Sequence, residues 1–262
     1  MTGIVFIGHG DLATVLGEAL TRDHDVRFWS RRNGSPDLVS GAALVIAAVP
    51  GSASDEVFAQ ALPHLSSDTL YVDLTAAPPE AKERAAARHA LYADGAVLGT
   101  VATSGAAVPI AVAGEGAERF RELVSPAGLD VSVLDGPAGT AARLKLVRSV
   151  FMKGRDALVL EMMLAARKLG VEEELARSIA GPGEQVPFTE LSERVLRALA
   201  VHAGRRSEEL ESSAALLRQL GVDPIVTEAG AERLRRIAGL REHFGGERPA
   251  EGRATLDAIS EE

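Results

Sequence analysis

The first half of the chain alternates short apolar runs with amphipathic stretches. The runs are "IVFIG" (Ile4–Gly8), "DVRFWS" (Asp25–Ser30), "ALVIAAVP" (Ala43–Pro50), "LYVDLT" (Leu70–Thr75), "YADGAVLG" (Tyr92–Gly99), "PIAVAG" (Pro109–Gly114) and "DVSVLD" (Asp130–Asp135). Continuous apolar runs of this length mark strands buried on both faces, as parallel sheets require. Between them, helical spacing runs from the end of the first strand to about Leu20, and over Ser54–Ala61, Pro79–His89 and Ala117–Val124. The alternation predicts βαβ units.

After "DGPAG" (Asp135–Gly139) the strand signals stop. Residues 140–169 carry one long helical pattern, and further helices are expected near 171–180, 187–203, 205–220 and 226–243. The expected organisation is therefore an α/β domain over 1–139, an all-α domain over 140–244 and a tail over 245–262. That tail, "GGERPAEGRATLDAISEE", is polar and punctuated by Gly and Pro, so part of it is expected to be loosely ordered.

Composition narrows the function classes. Hydrophobic residues make up 46% of the 262, but aromatic ones only 4%, which disfavours a binding surface built on ring stacking. A formal net charge of -9 argues against a nucleic-acid partner. The absence of cysteine excludes disulfides, thiolate metal sites and a Cys nucleophile, and fits a cytoplasmic protein. Ile4 already lies in an apolar run with no basic leader before it, so no secretory signal is expected. No apolar stretch approaches the ~18 residues of a membrane span.

The chemistry begins where the first run ends. Gly8-His9-Gly10-Asp11-Leu12-Ala13 fits the dinucleotide-binding pattern G-x-G-x-x-G/A between a strand and a helix. The first glycine permits a tight turn, and the second lets backbone approach a pyrophosphate. Small Ala13 lets helix pack on strand, and the helix N-terminus presents free N–H groups. The fold class read from these signals is an α/β Rossmann domain followed by an all-α C-terminal domain. At the end of the second strand, NAD-binding versions place an acid for the ribose 2′-hydroxyl. Here "FWSRRNGS" offers Ser30, Arg31 and Arg32 and no acid at the tip. Guanidinium forks suit a 2′-phosphate, so NADP(H) is the expected cofactor; a solvated basic turn is the plainer alternative. Val49, Pro50 and Gly51 after the third run, and Thr75 after the fourth, are candidate contacts to the same ligand or ordinary strand-to-helix loops.

With these motifs the chain resembles the β-hydroxyacid dehydrogenase superfamily, relatives of 6-phosphogluconate dehydrogenase and of imine reductases. The resemblance is carried by "GHGDLA", "FWSRR", "AAVPGSASDEVF", "VDLTAAPPEAKERAA", "ADGAVLGTVATSGAAVPIAVAGEGAERF" and "GPAGTAARLKLVRSVFMKG". The stretch "HAGRRSEELESSAALLRQLGVDPIVTEAGAERL" resembles an uncharacterised helical domain of one branch. The resemblance implies hydride transfer between the nicotinamide and a small hydroxy acid, carbonyl or imine. The family's proton-handling lysine then falls on Lys145. Two departures bear on the substrate: Ser149 stands where the family has Asn, and Leu98-Gly99-Thr100 replaces a Ser-Gly-Gly loop. The resemblance also implies a homodimer through the helical half.

Spacing adds a separate observation. Lys145, Ser149, Lys153 and Asp156 lie along one helical face, which can line a cleft or form a solvent edge. The domain boundary favours a cleft at Lys145. His202 and Arg206, with Arg205 adjacent, could bind a carboxylate or phosphoryl group, or form a charged helical stretch neutralised by Glu208, Glu209 and Glu211. Glu161, set in "LVLEMMLAA", reads best as a partnered interior charge. Candidate substrate contacts are thus Gly99, Thr100, Ser149, His202 and Arg206. Besides the dehydrogenase reading, an imine reductase and a non-catalytic NADP-binding regulator fit the same signals.

Overall fold

A computed structural model describes residues 2–181 and 185–260. The chain forms two compact units, Met1–Val150 and Phe151–Glu262. The strands of the first unit are β1 (Thr2–Ile7), β2 (His24–Trp29), β3 (Leu44–Ala47), β4 (Leu70–Asp73), β5 (Tyr92–Val97), β6 (Ile110–Ala113) and β7 (Val131–Val133). Every apolar run singled out above is a strand. They form one sheet in the order β2-β1-β3-β4-β5-β6-β7. The chain leaves β1 toward β2 on one side and then crosses to β3 on the other. A crevice is expected at that reversal, outside the carboxyl ends of the strands.

Adjacent strands are parallel with one exception: β6 runs antiparallel to β5, pairing Asp94 with Ala113 and Val97 with Ile110. The apolar runs were read as βαβ units, which pair strands in parallel. The connection explains the difference, because between β5 and β6 there is only α4 (Val101–Ser104) and a 3-10 turn at Gly105–Ala107. A parallel return needs a longer crossover than that.

Alternation along the strands divides the core between two faces. Ile4, Phe6, Leu44, Ile46 and Val72 pack on one face with Leu16 and Leu20 of α1 (Asp11–Leu20) and Phe120 and Val124 of α5 (Ala117–Val124). Val5, Ile7, Val45, Ala47 and Tyr71 pack on the other with Phe58 of α2 (Ser54–Ala61) and Ala85 of α3 (Pro79–Ala86). Covering both faces accounts for the unbroken apolar strands.

From Thr140 onward the chain is helical: α6 (Thr140–Leu169), α7 (Glu172–Ile179), α8 (Phe188–Gln219), α9 (Ile225–Arg236), α10 (Leu240–His243) and α11 (Gly252–Ser260). The boundary between the compact units falls inside α6. Two helices were expected where α8 runs unbroken through Gly204, and one where α9 and α10 are separate. Gly204 lies inside α8, where a Cβ would stand 3.5 Å from Ala238 Cβ, an ordinary packing distance. The segment expected to be loosely ordered contains α11, which docks on α8. Gly252 N donates to Glu193 Oε1 at 2.7 Å, and Thr255 Oγ1 donates to the Leu196 carbonyl at 3.1 Å. Among the described residues, no helix is long and apolar enough to cross a membrane.

Candidate functional site

The candidate site begins at a glycine that no other residue could replace without strain. Gly8 has φ +110°, and a Cβ on it would stand 2.4 Å from the Ala48 carbonyl oxygen. Its N–H donates to the Trp29 carbonyl at 2.8 Å, while Ala48 N donates to the Ile7 carbonyl at 2.8 Å. The ends of β1, β2 and β3 are thereby laced together at one point. Gly10 caps the N-terminus of α1 with extended backbone and no side chain, leaving the first-turn N–H groups without a side-chain acceptor. A Cβ on Gly10 would meet nothing within 4 Å, so the space above this helix end is open.

That space is part of a cavity of about 590 Å³ lined by Gly8, His9, Gly10, Ser30, Arg31, Val49 and Pro50 among others. These residues follow β1, β2 and β3, so the cavity lies at the reversal of strand order. His9 stacks on Phe28 of β2 with ring centroids 4.4 Å apart. Ser30 and Asn33 close a tight turn through two backbone bonds, with Arg31 and Arg32 exposed at its tip. Arg31 lines the cavity and Arg32 does not. Neither makes an ion pair among the described residues.

The remaining wall was not anticipated from sequence. Trp29 closes the β2 end, and Ala53, Glu56, Val57 and Gln60 bring one face of α2 into the lining. Their spacing is that of a single helical face, which was the available signal. Other expected contacts lie elsewhere. Asp11 and Leu12 belong to α1 but not to the lining. Gly51 serves packing, since a Cβ there would stand 2.6 Å from Ala76 backbone atoms of the loop after β4. Thr75 is buried and braces that loop: its hydroxyl accepts from Ala77 N at 3.2 Å, and its own N–H donates to Asp73 Oδ1 at 2.8 Å.

Asp73 leads to a buried ionic cluster that sequence reasoning missed. Lys82 is fully buried, with Nζ 2.9 Å from Asp73 Oδ1 and 3.4 Å from Asp94 Oδ1, and it donates to the Asp73 carbonyl at 2.6 Å. Ser54 Oγ and Tyr92 OH donate to Asp73 Oδ2 at 2.8 and 3.0 Å. Burial works against ionisation of Asp73, but the Lys82 ammonium and the hydrogen bonds from Thr75 and Lys82 bring its carboxyl below the ordinary value. Asp94 Oδ2 accepts from Gly139 N at 3.0 Å and Ala142 N at 2.9 Å, so this carboxylate holds the first turn of α6.

Lys145 stands on the next turn of that helix and is half-buried. Burial pulls its ammonium below the ordinary lysine range, and the charges of Lys82 and Arg148 add to this against the opposing Asp94. Ser149 donates its hydroxyl to the Lys145 carbonyl at 2.9 Å, so its donor is spent within the helix. Gly99 and Thr100 are exposed after β5, and the Thr100 hydroxyl lies 3.2 Å from that of Thr103. None of these four residues lines the cavity.

The second unit holds His202 and Arg206. His202 Nε2 lies 3.2 Å from an Arg248 guanidinium nitrogen, and Arg205 pairs with Glu209. Burial and then the nearby arginines lower the imidazole pKa. Glu161 is a partnered interior charge, as read from sequence. Its oxygens accept from Val226 N at 2.8 Å, Thr227 N at 3.0 Å and Thr227 Oγ1 at 2.5 Å, which makes it the cap of α9.

Comparison with known proteins agrees with this architecture. Residues 166–237 match the model of a domain of unknown function, DUF1932. An uncharacterized 28.5 kDa protein of Methanothermus fervidus is 26% identical over 176 residues, covering 66% of this chain and 67% of that one. The solved structure of MTH1747, described as a conserved protein of unknown function with structural similarity to 3-hydroxyacid dehydrogenases, is 26% identical. Its TM-score is 0.60, over 91% of this chain and 98% of that chain. A reductive aminase from Aspergillus terreus, in complex with NADPH and ethyl levulinate, shares the fold at TM-score 0.77 and 20% identity, over 99% of each chain. Fold and crevice together define a Rossmann α/β domain joined to a helical domain. The architecture is similar to that of the structure described as resembling 3-hydroxyacid dehydrogenases, and the DUF1932 match lies in the helical domain.

Proposed function

We propose that this protein is an NADP(H)-dependent oxidoreductase acting on a small carbonyl, hydroxyl or imine carbon. The observation that carries the reading is the cavity at the strand-order reversal, where Gly10 leaves open space over a helix N-terminus and Arg31 stands in the wall. A pyrophosphate suits the α1 N–H groups, and a 2′-phosphate suits Ser30 and Arg31. The bound coenzyme would supply or accept the hydride. Lys145, with its lowered pKa, would hold or deliver the proton at the substrate oxygen or nitrogen through Nζ. The reductive aminase bound to NADPH and ethyl levulinate supports the coenzyme form and a carbonyl-derived substrate, and keeps imine reduction as the second reading. A second copy of the chain completes the active form, because α6 leaves Leu146, Val147, Val150 and Leu160 exposed.

Titration calorimetry tests the coenzyme directly. NADPH is expected to bind at least tenfold more tightly than NADH, and Arg31→Ala to remove most of that preference, a loss of about 1.5–3 kcal/mol for a charge-assisted contact. No heat with either coenzyme would overturn the reading. A preference for NADH would overturn only the 2′-phosphate assignment.

A further inference from the structure

We propose that His9 is a third contact to the coenzyme's 2′-phosphate and carries a proton when that phosphate binds, so that the preference for NADP(H) over NAD(H) grows as pH falls toward neutrality. The inference rests on the coenzyme reading above and concerns how that one site tells two coenzymes apart.

His9 stands between the two glycines of the turn after β1, where it is exposed and lines the cavity. Its ring lies nearly flat on Phe28, with centroids 4.4 Å apart and planes 19° from parallel. A flat stack occupies the face of an imidazole and leaves its edge, where both nitrogens sit, for other partners. Among the described residues, neither nitrogen has a hydrogen-bond partner. A ring without nitrogens would stack on Phe28 equally well, so packing alone leaves the polar edge unused.

Phe28 fixes where that edge stands. Alternation along β2 puts Phe28 and Ser30 on one face of the sheet and Trp29 on the other. The core agrees, since Phe28 packs with the cluster that holds Leu16 of α1, and Trp29 with the cluster that holds Phe58 of α2. His9 therefore shares a face with Ser30 at the end of β2, beside the turn that carries Arg31. The charged groups bordering this end of the cavity are Asp11 at the start of α1, Arg31 and Arg32 in that turn, and Glu56 on α2. Asp11 is exposed and so screened by solvent. Glu56 comes from the opposite face of the sheet, and its Oε1 accepts from Gln60 Nε2 at 3.2 Å.

Charge decides the role. A phosphate monoester carries about −1.5 to −2 charges at neutral pH. Arg31 is the one guanidinium among the described lining residues, and Ser30 adds a hydroxyl without charge. A second positive group completes the neutralisation, and imidazole is the side chain that gains its charge within the physiological range. Lower pH therefore adds affinity until the phosphate itself takes up a proton near pH ~6.

Titration calorimetry of the full-length protein with NADPH and with NADH tests this at about pH 6.5, 7.5 and 8.5. Paired buffers of different ionisation enthalpy read affinity and proton uptake together. The preference for NADPH is expected to be about threefold or more larger at the lowest pH than at the highest. His9→Phe keeps the stack, and it should weaken NADPH by about tenfold at the lowest pH while leaving NADH within about twofold. Proton uptake is taken as parent minus His9→Phe, because the phosphate titrates in the same range, and this difference should be positive with NADPH and near zero with NADH. His9→Gln keeps a neutral donor and acceptor, and should bind NADPH with intermediate affinity and without the pH dependence of the parent. No heat with either coenzyme removes the coenzyme reading, and this inference with it. A preference for NADPH that both variants leave unaltered sinks the role of His9 alone. Equal weakening of NADPH and NADH in His9→Phe moves the contact to the pyrophosphate and overturns the 2′-phosphate assignment.

Discussion

At position 8 a Cβ would stand 2.4 Å from a carbonyl oxygen, whereas at position 10 it would meet nothing within 4 Å. One glycine is required by the fold and the other keeps space clear, yet both were visible in sequence because their pattern is local. The Lys82–Asp73–Asp94 cluster was not visible, since its members lie on three elements that only the sheet order brings together. Thr75 shows the converse: a polar residue at a strand end looked available, but the neighbouring loop uses both its hydroxyl and its N–H. For Lys145 the environment yields a prediction. Lys145→Met should reduce turnover by about 10²-fold or more while leaving NADPH affinity within about twofold. If Lys145 acts as the proton donor in reduction, its protonated fraction falls as pH rises through a pKa below the ordinary lysine value of 10.5. The rate of reduction should therefore decline with rising pH earlier than an unperturbed lysine would allow. Unchanged turnover in Lys145→Met removes this residue from the mechanism.

Elements were legible where periodicity extends over several turns, and less so where packing overrides a local signal. α6 was read over its full range, interior Gly154 included, because the helical pattern continues on both sides of it. α8 was read as two helices because Gly204 costs about 1 kcal/mol in a helix interior, a local cost that the rest of this 32-residue helix overrides. β6 reversed direction because its connection is too short for a crossover. The join between α6 and α9 shows how one side chain organises two elements. Glu161 caps α9 through three hydrogen bonds, and these outweigh the burial that would otherwise raise its pKa, leaving it below the ordinary value of 4.5. A carboxyl depressed in the folded state contributes stability that is complete above its unfolded pKa and is lost as pH falls through the folded one. Glu161→Gln should therefore destabilise the protein by about 1–3 kcal/mol at neutral pH, measured by urea unfolding, with the difference shrinking below pH ~4. An equal loss at all pH values would mean that the charge itself contributes nothing.

At the scale of the whole molecule, the two units differ in how much apolar surface they enclose. The sheet of the first unit is covered on both faces, with Val5, Phe6, Leu44 and Ile46 fully buried. Among the described residues, the helical unit has a small core cluster around Ala203, Ile237, Leu240 and Ala258. Meanwhile α6 exposes Val147 at 70% and Val150 at 75%, and its later turns expose Leu158, Val159, Leu160 and Leu164. Apolar side chains exposed along so much of a helix of 30 residues are costly in water, and an interaction that covers them is the expected outcome. A second copy meets that requirement by symmetry, since one patch can then cover its own equivalent. The protein is accordingly expected to sediment as a homodimer at micromolar concentration. Val150→Glu combined with Leu160→Glu should shift it toward monomer by placing unpaired charges in the contact, with helicity retained because both side chains face solvent within a single copy. Sedimentation of the parent protein as a monomer would show that the α6 face does not join two copies. A double variant that folds and remains dimeric would place the contact on another surface.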